Sequence, residues 1–246
     1  MSPETYAGND DAAQRDPNRP IALITGATRG IGRAIAEDLS ADHHILVGGT
    51  DAARTAAVVA ELPSAEPFVA DLQDLGAVVT AVTEAGLDSL DVLVHSAGVA
   101  ATGTLEQTPA QEWQRSFAVN VFAVAELTRL LLPALRTAKG QVIAINSGSG
   151  YVSRNGGGLY SATKFALRAL TDALREEERG TVRVTSIHPG RVDTDMQVQL
   201  QSAMGNEDYD GSRYVAAESV AVTVRTALSM PAEAMVDELA IRPVRG

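Results

Sequence analysis

Short β-branched or apolar runs alternate with longer alanine-rich stretches from Pro20 to the end of the chain. The runs Ile21–Thr25, His44–Val47, Pro67–Ala70, Val92–His95, Gln141–Asn146, Val182–His188 and Glu238–Arg242 are predicted strands. IALIT, HILV, VLV and VIAI within them are apolar almost without a break, the pattern of a strand buried on both faces. Between the runs, hydrophobic positions recur at helical spacing, as in Ile31, Ile35 and Leu39 or Leu167, Leu170 and Leu174. This alternation predicts right-handed crossovers and an α/β fold: a doubly wound, mainly parallel sheet of seven strands with helices on both faces. Residues 1–19 hold few core formers among Asp, Pro and Asn and read as a flexible tail. Residues 20–246 show neither repeats nor a linker and read as a single domain. The tail lacks the apolar stretch of a secretory signal. No apolar run is expected to reach bilayer-spanning length before a charge or turn breaks it.

The first predicted strand runs straight into Thr25-Gly26-Ala27-Thr28-Arg29-Gly30-Ile31-Gly32, and a helical segment follows. Glycines there let the chain turn tightly and let a pyrophosphate approach the backbone. The free N–H groups and positive dipole end of the helix then face that anion. A glycine cluster alone often only closes a turn; its place between strand and helix is what points to a dinucleotide. The spacing is G-x-x-x-G-x-G rather than G-x-G-x-x-G.

Tyr160 and Lys164 stand one helical turn apart on the same face. A phenol with a pKa of ~10 is a poor acid–base at neutral pH. An ammonium one turn away, with an oxidised nicotinamide, would stabilise the phenolate and let the phenol exchange a proton near neutrality. Y-x-x-x-K by itself also describes a solvated surface pair.

Taken together, these two motifs resemble the fingerprints of the short-chain dehydrogenase/reductase family, in its shorter single-domain branch, and the likeness spans nearly the whole chain from Pro20. The resemblance implies a Rossmann-type fold. It also implies a catalytic set of Asn120, Ser147, Tyr160 and Lys164. Ser147 lies thirteen residues before Tyr160, where the family's serine holds a substrate carbonyl oxygen; Ser149 is the alternative that spacing disfavours. Asn120, in FAVNVFA, matches the helix asparagine that anchors a water in a proton relay, although it could equally satisfy a backbone group. Lys164 would also hold the cofactor ribose.

The implied cofactor contacts begin with Gly26, Thr28, Arg29, Gly30, Ile31 and Gly32 in the first turn. Asp71 and Leu72 follow the third strand, the aspartate beside the adenine. Ser96, Ala97 and Gly98 follow the fourth. Pro189, Gly190, Val192 and Thr194 follow the sixth and would cover the nicotinamide, with Asn120, Tyr160 and Lys164 completing the set. The chain departs from the family at His95-Ser96, where two asparagines are usual, and His95 is read as structural. It departs again at Asn146-Ser147-Gly148, where Ser-Ser is common.

NADP(H) is preferred over NAD(H). Gly49 takes the place after the second strand where NAD users carry an aspartate, and Arg29 matches the basic residue beside a 2′-phosphate. Thr50 adds a hydroxyl and Arg54 is within range, whereas Asp51 would oppose a phosphate if it pointed inward.

A formal net charge of −11 argues against nucleic acid or an anionic membrane as partner. The absence of cysteine removes thiolate chemistry and fits a cytoplasmic setting. His43, His44, His95 and His188 show no ligand spacing with carboxylates, so no metal site is expected. Only two lysines are present, Lys139 and Lys164, which sets the second apart.

The expected reaction is hydride transfer between NADP(H) and a small-molecule carbonyl or secondary alcohol, with Tyr160 as general acid/base. Gly156 to Leu159 and the stretch Asp195–Asp210, with Met196, Leu200 and Met204, would border the substrate as a lid. Arg154 and Arg191 are candidate acid anchors but read better as surface residues. One competing function is an NADP(H)-binding sensor or scaffold without catalysis. Another is an epimerase or dehydratase of a longer branch, for which the chain after Gly211 is too short. The resemblance further implies a homodimer or homotetramer, with the helix of Tyr160 and the preceding long helix packed across a two-fold axis; Ala162, Ala166, Ala169 and Ala173 would permit close approach.

Overall fold

A computed structural model describes residues 15–16, 18–203, 205–206 and 208–244. Strands form where the apolar runs lie: β1 (Ile21–Ile24), β2 (His44–Gly49), β3 (Ala65–Val69), β4 (Val92–His95), β5 (Gln141–Ile145), β6 (Arg183–Pro189) and β7 (Glu238–Ile241). They pair in parallel throughout, in the order β3-β2-β1-β4-β5-β6-β7. The predicted fold class holds, with strand ends within two residues of expectation.

The helices are α1 (Gly30–Leu39), α2 (Ala52–Val59), α3 (Leu75–Ala85), α4 (Ala110–Phe117), α5 (Ala123–Ala138), α6 (Gly158–Glu177), α7 (Asp195–Ala203) and α8 (Ala217–Leu228). Successive strand residues face opposite sides, and the core divides accordingly. Ile24, Val47 and Val94 meet Ile35 and Leu39 of α1 and Val224 of α8 on one face. Leu23, Leu46 and Leu93 meet Val78 of α3 and Leu127, Leu131 and Leu135 of α5 on the other. Both faces being covered explains why these strands read as unbroken apolar runs.

The expectation that no segment has bilayer-spanning character needs correction. A π-turn over Ala118–Phe122 joins α4 to α5, and the combined helix Ala110–Ala138 is by length and composition apolar enough to cross a membrane. Its buried residues, among them Ala123, Val124, Leu127, Leu131 and Leu135, line the core. Unbroken runs miss such a helix because its charges, Glu126, Arg129 and Arg136, recur at helical spacing. It is a core helix.

Of the predicted tail, residues 1–14 and 17 lie outside the described residues. Arg15 hydrogen-bonds the Glu66 carboxylate and, at 3.0 Å, the Ala85 carbonyl, while Arg19 reaches the Ala41 carbonyl at 2.6 Å.

The chain lays down β1, β2 and β3 toward one edge and β4 through β7 toward the other. The switch lies between β1 and β4, and a crevice opens beyond the carboxyl ends of those strands, where ligands of such sheets bind.

Candidate active site

The turn leaving β1 meets the turn leaving β4 at this crevice. Gly26 has φ +67°, and a Cβ there would stand 2.8 Å from the Ala97 Cα, so both conformation and space demand glycine. The buried Thr25 hydroxyl accepts hydrogen bonds from the Ser96 and Ala97 N–H groups at 3.1 Å each, clamping the two turns together. Asp51 and Asp74 cap α2 and α3, but no side chain caps α1. Its first N–H groups therefore remain available to an anion.

The resulting groove has a volume of about 340 Å³. Gly26, Thr28, Arg29, Gly30, Ile31, Gly32, Thr50, Asp71, Leu72, Ser96, Ala97, Gly98 and Thr194 all line it, as the sequence suggested. Phe68, Gln73 and Arg115 line it too and carried no recognisable signal in the sequence, and Met196 of the expected lid stretch joins them. Pro189, Gly190 and Val192 are not among the lining residues. The Val192 side chain is buried in the core beside Val215, leaving only its backbone to face a cofactor. An adjoining cavity of about 480 Å³ lies between the chain after β4 and α7, with Gln107, Glu112, Arg115, Met196, Gln199 and Leu200 on its walls. Met204, expected in this lid, lies outside the described residues.

The four expected catalytic residues sit beyond this groove. Ser147 leaves β5 in extended conformation; its N–H is held by Asn146 Oδ1 at 2.9 Å, and its hydroxyl oxygen accepts from the Ser149 N–H at 3.1 Å. That contact puts Ser149 in a supporting position. Tyr160 and Lys164 share one face of α6, with Lys164 Nζ 5.7 Å from the phenol ring centroid. Burial pushes that phenol above its ordinary pKa, and Ser147 opposes the shift.

Lys164 is 5% exposed, donates to the Ile145 carbonyl at 2.9 Å, and is pulled down to about 8 by burial. Asn120 lies in the π-turn, a feature frequent at functional sites. Its Oδ1 accepts from the Val99 N–H and its Nδ2 donates to the Val99 carbonyl, both at 2.9 Å, with a further bond to Thr163 Oγ1 at 3.0 Å. The side chain thus satisfies backbone, the plainer of the two roles expected for it. Val99 itself lines the groove and so links Asn120 to it.

His95 bonds Thr128 Oγ1 on α5 at 2.9 Å; burial lowers its pKa to about 4, keeping it neutral. This is the structural role expected of it. His188, dismissed above as a ligand, bonds the Ser147 carbonyl. No sequence signal joins two residues so far apart.

Around the adenosine end, Asp51 Oδ1 accepts from the Arg54 N–H at 2.9 Å as the cap of α2, and neither residue lines the groove. A Cβ on Gly49 would stand 2.3 Å from Thr55 Oγ1 and 2.8 Å from Thr28 Cγ2, so the place of an acidic side chain is already filled. Arg29 reaches across the groove to Asp195 of α7 at 3.6 Å.

Residues 20–205 match the family described as short chain dehydrogenase. The chain is 35% identical over 233 residues to a serine 3-dehydrogenase of Rhizobium radiobacter, covering 90% of this chain and 93% of that one. Among solved structures, an alcohol dehydrogenase of the archaeon Thermococcus sibiricus complexed with 5-hydroxy-NADP superimposes with a TM-score of 0.84 at 26% identity, covering 93% of this chain and 98% of the other. The closed form of a serine dehydrogenase complexed with NADP+ gives 0.82 at 27% identity, covering 91% and 95%.

Proposed function

The chain belongs to the short-chain dehydrogenase family and is an NAD(P)-dependent oxidoreductase; we propose that it moves a hydride between NADP(H) and a small carbonyl or secondary alcohol, with Tyr160 as general acid/base. The observation that carries this reading is Tyr160 and the buried Lys164 one helical turn apart on α6, with Lys164 Nζ 5.7 Å from the phenol ring centroid. A bound nicotinamide supplies the hydride acceptor or donor. Ser147 holds the substrate oxygen, Tyr160 gives or takes its proton, and Lys164, with two N–H donors left after Ile145, holds the cofactor ribose. Asn120 pins the chain after β4 beneath the cofactor through Val99.

The groove suits the phosphorylated dinucleotide. It has a glycine-lined floor, an uncapped helix start, and Arg29 with Thr50 where a 2′-phosphate would lie. Asp51, the carboxylate that follows the second strand, is engaged as a helix cap, while Asp195 stands 3.6 Å from Arg29. The likeness to a serine 3-dehydrogenase makes small hydroxy acids the first substrates to try. Exposed Phe122 and Phe165, beside the partly open Ala162 and Ala166 of α6, support association of copies through this face. A cytoplasmic setting completes the reading.

Titration with NADPH and NADH, followed by energy transfer from protein to nicotinamide, tests the cofactor assignment. Tighter NADPH binding, by about tenfold or more, is expected from one charge-assisted contact to the phosphate. Tighter NADH binding would overturn the assignment, and binding of neither would overturn the enzymatic reading.

A further inference from the structure

His188 has no exposed surface, and each of its ring nitrogens faces an oxygen. Nδ1 lies 3.1 Å from the Ser147 carbonyl oxygen and Nε2 lies 3.2 Å from the Tyr151 hydroxyl. A carbonyl can only accept, so Nδ1 carries the proton and the tautomer is fixed. The one hydrogen of the Tyr151 hydroxyl goes to Glu238 of the edge strand β7 at 2.5 Å, so Tyr151 holds the imidazole by packing, its ring tilted against it with centroids 4.5 Å apart.

Three charged groups surround the pair. Glu238 Oε1 is 3.7 Å from Nε2; Arg168 of α6 lies 4.4 Å from the Tyr151 centroid and 3.6 Å from Glu238; and Arg242, just after β7, donates to the His188 backbone carbonyl. Burial lowers the pKa of His188 and favours the neutral ring that the tautomer requires.

Ser147 is thereby held at three atoms: its N–H by Asn146, its hydroxyl oxygen by the Ser149 N–H, and its carbonyl by the Gly150 N–H at 3.0 Å and by His188. The carbonyl contact fixes the peptide plane that follows the serine. That plane carries Gly148, whose placement sets where the Ser149 N–H meets the serine hydroxyl.

We propose that His188 is a positioning residue for Ser147: its Nδ1–H holds the serine carbonyl, and the Tyr151 ring packed against the imidazole holds that ring, so that the serine hydroxyl keeps its place for the substrate oxygen. This rests on the reading of Ser147 as the group that holds the substrate oxygen.

Two polar substitutions separate the ring's contacts. In His188→Asn the amide Nδ2 takes the place of Nδ1 and can still donate to Ser147, but it cannot reach Tyr151. In His188→Gln the amide reaches Tyr151 and leaves the Ser147 carbonyl with the Gly150 N–H at 3.0 Å as its remaining donor. The measurements are kcat and KM, NADPH affinity by energy transfer, and titration of the Tyr160 phenol by NMR of ring-labelled tyrosine, with Tyr160→Phe to identify the signal. His188→Gln is expected to lose about 10- to 100-fold in kcat, the scale of a misplaced catalytic group, with NADPH affinity unchanged within about twofold. Its Tyr160 titration should move upward, because the Ser147 bond lowers that pKa. His188→Asn should stay within about fivefold of the parent kcat with its Tyr160 titration in place. Equal losses in both variants, or a Gln variant that matches the parent in turnover and titration, would overturn the proposal. If the parent enzyme reduces no carbonyl tested, the oxidoreductase reading fails on that count alone. The Tyr160 titration then still decides the role of His188: displacement in Gln but not Asn sustains it, and no displacement ends it.

Discussion

Asn120 meets Val99 with both ends of its amide, accepting from the backbone N–H and donating to the backbone carbonyl at 2.9 Å each. The side chain is 1% exposed, so neither backbone group has water as a substitute. Asn120→Ala should therefore cost about 1–3 kcal/mol and lower the melting temperature by about 2–12 °C. NADPH affinity should fall as well, since Val99 lines the cofactor groove. Thermal unfolding and cofactor titration on the same preparation check this. An unchanged melting temperature would contradict the pairing.

Tyr160→Phe removes one oxygen and keeps the ring. Turnover is expected to fall by about 10²–10⁴-fold, the range for loss of a general acid–base, while NADPH binding stays within about twofold. Steady-state rates and energy-transfer titration measure the two separately.

Lys164 carries a pH signature of its own. Burial holds its folded pKa at about 8, below the ordinary lysine value of 10.5. The unfolded chain therefore binds more protons between those values, and stability rises with pH across that window. Below pH 8 the buried ammonium costs the fold roughly 3 kcal/mol. The unfolding free energy of the parent, minus that of Lys164→Met, should accordingly become more favourable by up to that amount between pH 7 and pH 10. Urea denaturation at the two pH values reads it. A pH-independent difference would place the lysine pKa elsewhere.

Gly49→Asp is the obvious substitution for turning the enzyme toward NADH, and it is expected to fail here. Thr55 Oγ1 and Thr28 Cγ2 already fill the space that the new side chain needs. The variant should lose about 1–3 kcal/mol of stability from overpacking and bind NADPH more weakly without gaining NADH. A variant that binds NADH tightly at undiminished stability would show that Thr28 and Thr55 can move aside.

The sheet was readable from the sequence because its strands are buried on both faces, as IALIT and VIAI announce. The cofactor groove was readable because its residues leave their strands in contiguous turns: Gly26 to Gly32, Asp71-Leu72 and Ser96 to Gly98 each occupy one turn. What escaped depends on tertiary contact. His188 and Ser147 lie 41 positions apart and meet only because β5 and β6 are neighbours. Arg115 reaches the groove from α4 with no flanking motif to mark it. The π-turn that holds Asn120 has no compositional signature in AVNVF. The inward turn of the Val192 side chain depends on Val215, beyond the reach of local pattern.

The contact between Tyr151 and Glu238 also bears on the order in which the protein is made. Synthesis runs from the N-terminus, and β1 to β4, with the turns that form the groove floor, leave the ribosome well before β7. Glu238 opens that last strand, so a nascent chain has nearly all of its dinucleotide floor before Tyr151 and His188 gain their outer anchor. The geometry around Ser147 is therefore among the last features that translation completes.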